Sequence, residues 1–297
     1  MANTLNLSAL PEYIEQNKEQ LFVDSTVGAK TLDYVELMLG VKHKEALNYL
    51  ESEVELQAAA CGWNPNGSDT FGQRYIEVHL VEVEKEFCYI DFKEKYMNYQ
   101  LRWEAGRETL PFEEKIAQSN VEAIKAAVEN MIWKGNSGAS VTGFLADAEA
   151  ASAATVEFSS GDTTVAKIDA VVAALPAKML AKGVNIFVSM TDFRNYVLES
   201  NGTCCANRPL LDAAAESIIY AGDSRIKIVP VLGLEDTGAI VAATGEALVY
   251  GTDLKDSETV YRMWFDEKDQ KFMFRVLFAA GTAVKLPNEV VVGKLGA

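Results

Sequence analysis

The stretch LPFEEKIAQSNVEAIKAAVENMIWKGNSGASVTGF, Leu110–Phe144, carries the clearest periodicity in the chain. Val121, Ile124, Val128, Met131 and Ile132 recur at helical steps and fall on one stripe. Pro111 suits a first helical turn, where its missing N–H would have no partner anyway. Glu113 and Glu114 lie at the positive end of the helix dipole, Lys134 lies at the negative end, and Gly135 stops the helix. At about 1.5 Å per residue, a helix over 112–134 is a rod of about 35 Å. A rod of that length has to be packed along its side by other elements.

Upstream of it, Ser8 can cap a first helix with Pro11 in its opening turn and Leu10, Tyr13, Ile14 and Leu21 on one face. Leu47, Leu50, Val54, Ala58 and Cys61 recur at steps of three and four, which predicts a second helix stopped by Gly62; residues 63–68 (WNPNGS) are a turn-rich connector. From Gln73 to Glu86 the pattern alternates, with a phase slip at Val81 that predicts a bulged strand. Phe92, Tyr96, Tyr99 and Trp103 then form an aromatic stripe, read as packing on a short helix, and residues 104–109 (EAGRET) make a polar tip.

Downstream, the small-residue stretch 138–160 reads as a linker or an irregular excursion. Val165, Ile168, Val172, Leu175 and Met179 mark a helix face that Pro176 kinks or splits. Val184–Met190 (VNIFVSM) is a buried strand, followed by a helix capped by Thr191 and carrying Phe193, Val197 and Leu198. Further strands are predicted at Ile226–Val231, Ala239–Ala243, Ala247–Tyr250, Val260–Phe265 and Lys271–Phe278, the last two forming a hairpin around the turn 266–270.

The chain has 297 residues, 49% of them hydrophobic and 24% charged, enough to bury a core without disulfides or metal. Disorder, collagen and disulfide scaffolds are excluded. With 43 acidic against 27 basic residues, the net charge of −16 argues against a nucleic-acid reader, which needs clustered Lys and Arg. No secretory signal and no apolar run near the ~20 residues of a membrane span is present, so reduced cysteines in a cytoplasmic compartment are expected. The four cysteines, Cys61, Cys88, Cys204 and Cys205, lack metal-ligand spacing. The two histidines, His43 in a Lys-His-Lys run and His79 in an alternating strand, read as structural. No phosphate loop, dinucleotide fingerprint, nucleophile elbow or zinc-protease motif occurs. No catalytic residue, metal site or cofactor is expected, and the chain is not read as an enzyme.

On these residues the chain resembles the major capsid proteins of tailed phages, the Hong Kong 97-like fold. Met131-Ile132-Trp133-Lys134-Gly135-Asn136 with Gly143-Phe144 is similar to the turn that ends that family's long spine helix. The run 87–92 (FCYIDF) and the segment 103–112 resemble the approach to the spine, NIFVSMTDFRNYV resembles a strand–helix unit of the axial domain, and the terminal hairpin with 279–284 resembles closing peripheral-domain strands.

The resemblance implies an α+β fold with a helical N-terminal arm (1–69), a strand and extended-loop region (70–111), the spine helix and start of a peripheral domain (112–150), an axial domain (151–245) and closing peripheral strands (246–297). It implies a virion structural protein that self-assembles as hexamers and pentamers into an icosahedral shell around double-stranded DNA, made in the host cytoplasm. An extended loop placed at 96–112 would lie over the neighbouring subunit. Arg102, Trp103, Glu104, Arg107, Glu108, Phe112 and Glu113 are then the candidate subunit-interface residues, with Arg102, Arg107, Glu104 and Glu108 in intersubunit ion pairs. Portal, scaffolding and decoration proteins are further candidate partners; any scaffold is expected to be a separate protein, and the DNA would be held without sequence-specific binding. No membrane partner is implied. Lys85, Lys93 and Lys95 have no marked crosslink partner. Two other readings remain open: an encapsulin-type nanocompartment shell, and an α/β enzyme or binding protein of unknown substrate with a pocket near the end of Val184–Met190.

Overall fold

The computed structural model of the chain describes residues 9–58, 66–88, 90, 95, 112–202, 210–212, 217–253 and 260–296. In chain order these form α1 (Ala9–Thr26), a 3₁₀ turn (Lys30–Asp33), β1 (Glu36–Leu39), β2 (Lys44–Val54), β3 (Gly67–Glu77), β4 (His79–Cys88) and α2 (Phe112–Lys134). Then follow α3 (Phe144–Ala150), β5 (Ala154–Phe158), α4 (Thr164–Ala173), α5 (Ala177–Lys182), β6 (Val184–Ser189), α6 (Met190–Gly202), β7 (Leu210–Asp212), β8 (Ser217–Ile219) and β9 (Ile226–Val231). The chain ends with β10 (Ile240–Ala243), β11 (Leu248–Thr252), β12 (Val260–Asp266), β13 (Lys271–Val284) and β14 (Val290–Leu295). The fold class is α+β, as expected.

One sheet is organised by β13, which pairs antiparallel with β12, β4 and β11, with β1 running parallel to β11. A second, seven-stranded sheet has the order β5-β14-β10-β6-β9-β8-β7, with β6 and β9 parallel at its centre. One hydrophobic core, lined by Val121, Ile124, Val128, Met131 and Ile132 of α2, is shared by the two sheets. It takes Phe272, Phe274 and Phe278 from the first and Phe187, Val229 and Val241 from the second. All five residues of the predicted α2 stripe are buried, and α1 packs beside them through Leu10, Ile14, Leu21 and Phe22. Fully burying such side chains is worth about 1.5–3 kcal/mol each, so α2 is held by its neighbours and not by propensity.

Several expectations are corrected. The helix predicted through Leu47, Leu50, Val54 and Ala58 is strand β2, so the helical arm expected over 1–69 is helical, among the described residues, only at α1 and the 3₁₀ turn. The periodicity misleads because only Leu47 of these is buried; Leu50 and Val54 face solvent on the opposite side of the strand. The long strand with a bulge at Val81 is two strands broken at Val78, since each belongs to a different sheet. The linker over 138–160 contains α3 and β5. Pro176 splits the following helix: it is the N-cap of α5, and Thr163 caps α4 by accepting from Ala166 N. Strand β14 (VVVGKL) is a further element, and β13 runs six residues past the predicted end because its first half pairs with β12 and its second half with β11. The aromatic stripe at Phe92, Tyr96, Tyr99 and Trp103 lies outside the described residues.

Candidate interaction surface

The β2–β3 hairpin is the most exposed element among the described residues. Its two 11-residue strands pair over their full length, Lys44 opposite Glu77 through Val54 opposite Gly67. At about 3.4 Å per residue the ladder is about 37 Å long. On one face Ala46, Leu50 and Val54 sit across from Tyr75, Phe71 and Gly67, and the apolar members are bare: Phe71 is 81% and Leu50 56% exposed. Exposed large side chains directly opposite one another on one sheet face are the composition of an interface core. The opposite face carries Glu45, Glu51 and Glu53, and Tyr49 lies across Gly72, where a Cβ would strike its ring. Beyond the root, Asn288 Nδ2 donates to Glu51 Oε1 at 2.6 Å, and a cleft of about 710 Å³ separates the outer strands from α5.

The root is fixed firmly. Leu47, Ile76 and Val78 are buried with Val41, Val249, Ala279 and Ala283 in a small core of their own. Arg74 Nη2 donates to Asp147 Oδ1 at 3.2 Å, and the second Asp147 oxygen accepts the Val284 N–H, so one carboxylate ties hairpin, α3 and β13 together. At the first ladder position Lys44 pairs with Glu77, holding that carboxyl below the usual range, and its ammonium also lies 4.6 Å from the Tyr75 ring centroid.

Two further constructions position α2. After Lys134 the chain turns on Gly135 at φ 77, Asn136 Oδ1 accepts from Gly138 N and Ala139 N, and Asn136 bridges to Val141. A Cβ on Gly135 would sit 2.7 Å from Gly143 N, so the two glycines of the motif lie back to back. At the same end of α2, Glu129 is 4% exposed and accepts both the hydroxyl and the N–H of Thr31, while Trp133 Nε1 donates to the Thr31 hydroxyl at 2.8 Å. Burial pushes the Glu129 carboxyl up against these hydrogen bonds and the nearby Lys30 charge.

Of the sequence-predicted interface residues, Arg102, Trp103, Glu104, Arg107 and Glu108, with the loop placed at 96–111, lie outside the described residues. Phe112 and Glu113 begin α2. The exposed hairpin face has little sequence signal beyond Phe71 and Tyr75 on one side of β3, because the pairing that puts Leu50 beside Phe71 is invisible along the chain. The carboxylates Glu82, Glu84 and Glu86 form a solvent-facing ladder with cations of β13: Lys271 lies 2.7 Å from Glu86, 3.7 Å separates Arg275 from Glu84, and Arg275 also pairs with Glu82. Among the described residues no cluster of three His, Cys, Asp or Glu could hold a metal. At the end of β6, where a substrate pocket was the alternative, Glu235 binds the Thr191 hydroxyl and N–H and caps α6.

No family model and no curated protein matches this sequence. Solved structures do match in shape. The virus-like particle subunit from Pyrococcus furiosus aligns at TM-score 0.56 and 12% identity, over 95% of this chain and 100% of that one. A subunit of the satellite phage P4 procapsid, a structure that includes the size determination protein Sid, aligns at 0.59 and 11% over 93% and 90%. The capsid protein of Myoviridae phage XM1 aligns at 0.54 and 14% over 91% and 92%. At such identities the likeness is one of fold: the chain has the fold of phage capsid proteins, as its resemblance to tailed-phage major capsid proteins implied.

Proposed function

We propose that this chain is a shell subunit, the major capsid protein of a tailed phage, which self-assembles as hexamers and pentamers into an icosahedral shell around double-stranded DNA. The observation that supports it most is coverage: the capsid fold runs through 93% and 91% of this chain in the P4 and XM1 alignments, and through 90% and 92% of those subunits. In this reading α2 is the spine helix, the seven-stranded unit is the axial domain, and the sheet around β13 belongs to the peripheral domain. The β2–β3 hairpin reaches a neighbouring copy and covers Leu50, Phe71 and Tyr75 there. Burying each of these apolar groups is worth about 1.5–3 kcal/mol, and closed rings repeat the gain in every copy. The chain works without catalysis, in the virion, after assembly in the host cytoplasm. Its partners are other copies of itself, with portal, scaffolding or decoration proteins beside them.

A second reading, a nanocompartment shell enclosing protein, is favoured by the alignment over the whole of the Pyrococcus furiosus subunit. Electron microscopy of the purified chain, expressed alone and with its neighbouring genes, tests both. Closed particles are the expected result, and nucleic acid or protein inside separates the two readings. Small soluble species under both conditions defeat the proposal. In F71E, which leaves the subunit folded, particles are expected to be lost.

A further inference from the structure

The connector 63–68 (WNPNGS) contains one of the two Asn-Gly pairs of the chain, and Asn201-Gly202 is the other. Their settings differ. Asn66 is exposed and lies outside any helix or strand, immediately before β3. Gly67 opens β3 at φ 115, a conformation that glycine adopts without strain, and it has no side chain to screen its backbone nitrogen. It forms the last rung of the hairpin ladder, opposite Val54, whose side chain is bare to solvent. The end of a ladder is where pairing opens first. Asn201 and Gly202 instead close α6, where each N–H points back along the helix towards the carbonyl four residues earlier. The other asparagines among the described residues precede residues that carry side chains, and several are engaged. Asn17 and Asn130 donate to carbonyls of their own helices, Asn48 accepts from Gln73, and Asn136 caps the turn after α2.

An exposed Asn-Gly pair is open to a simple amide exchange. The Gly67 nitrogen gives its proton to solvent base and attacks Asn66 Cγ. The new C–N bond closes a succinimide ring, and the side-chain nitrogen leaves as ammonia. Water then opens the ring. Attack at Cγ breaks its bond to the Gly67 nitrogen and leaves an aspartyl side chain. Attack at the main-chain carbonyl leaves the backbone routed through Cβ and Cγ, an isoaspartyl link with one extra backbone bond. One water is taken up and one ammonia released, with nothing oxidised or reduced, and either product carries a new negative charge.

We propose that Asn66 is a site of spontaneous covalent modification, the position at which the folded chain loses ammonia and gains a carboxylate. The charge arrives at the outer end of a hairpin that already carries Glu51, Glu53 and Asp69. The isoaspartyl link also lengthens the backbone at a tight place, where a Cβ on Gly67 would come 2.4 Å from the Glu53 carbonyl oxygen. The modification is a property of the single chain and does not depend on what the hairpin binds. It is tested by peptide mapping of the full chain aged in mildly alkaline buffer made with heavy-oxygen water and digested in acid, with the same chain aged in guanidinium chloride as the unfolded reference. At Asn66 the expected result is uptake of solvent oxygen into aspartyl and isoaspartyl forms, the second in excess, at a rate within a few-fold of the unfolded reference. Asn201 is expected to fall many-fold below its own reference. In N66Q the label at this peptide disappears, because the longer side chain closes its ring far more slowly, and Asn201 behaves as before. An Asn66 that stays intact in the folded chain, or that is slowed by folding as much as Asn201, overturns the proposal.

Discussion

At the scale of single residues, the turn after α2 shows how little sequence is needed to place a chain. Gly135 has φ 77, where a side chain costs roughly 1–2 kcal/mol, and its missing Cβ leaves room for Gly143. Gly135→Ala is therefore expected to lower stability by about 2–3 kcal/mol, read as a shifted urea midpoint at unchanged slope. An unshifted midpoint would mean that the turn relaxes freely. Glu129 makes the opposite kind of prediction. Its carboxyl is raised in the folded chain, chiefly by burial, so its contribution is fully present below the unfolded carboxylate range near pH 4.3 and is lost as pH rises through the folded value. Glu129→Gln keeps an acceptor for Thr31 and removes the charge. The stability of the native chain minus that of E129Q should become more favourable as pH falls from about 8 to about 4. A difference independent of pH refutes the assignment.

At the scale of elements, the hairpin is a long lever on a small anchor. Arg74 and Asp147 are both largely covered, and Asp147 also satisfies the Val284 N–H. Removing that carboxylate leaves a covered guanidinium and a strand amide without their acceptor, at about 1–3 kcal/mol. Asp147→Ala is expected to destabilise by that amount and to loosen β2–β3 ahead of the rest, visible as faster amide exchange at 72–76 than in β6. Equal loss in both places would show that the pair supports the whole chain instead. α1 is tied differently, by burial: Ile14 is 1% exposed, and Ile14→Ala should cost about 2–5 kcal/mol in the same denaturation measurement.

At the scale of the whole molecule, charge opposes association. Each copy carries a net −16, so bringing copies together concentrates like charge that salt screens, with a Debye length falling from about 10 Å at 0.1 M to about 3 Å at 1 M. If apolar faces such as Leu50–Phe71 drive assembly, particle yield by light scattering should rise with salt across that range. Particles that dissolve as salt is added would point to attraction between opposite charges across the contact. The ladder of Lys271 and Arg275 with Glu82, Glu84 and Glu86 is already satisfied within one copy and is not a strong source of such attraction.

What the sequence determined by itself is what short-range periodicity can encode. The α2 stripe, its stop at Gly135, the buried run at β6 and the closing β12–β13 hairpin are all legible, because each is encoded in a short apolar pattern within its own segment. The resemblance built on those elements agrees with the fold. What only tertiary structure decided depends on partners distant in the chain. β2 looks helical until β3 pairs with it, and β14 is short and ambiguous until β10 and β5 flank it. The exposed face of Leu50 and Phe71 and the Thr31–Glu129 clasp follow from long-range pairing that no local pattern records. Burial and register are properties of the assembled sheet, and the same apolar spacing serves a helix or a strand until the chain closes around it.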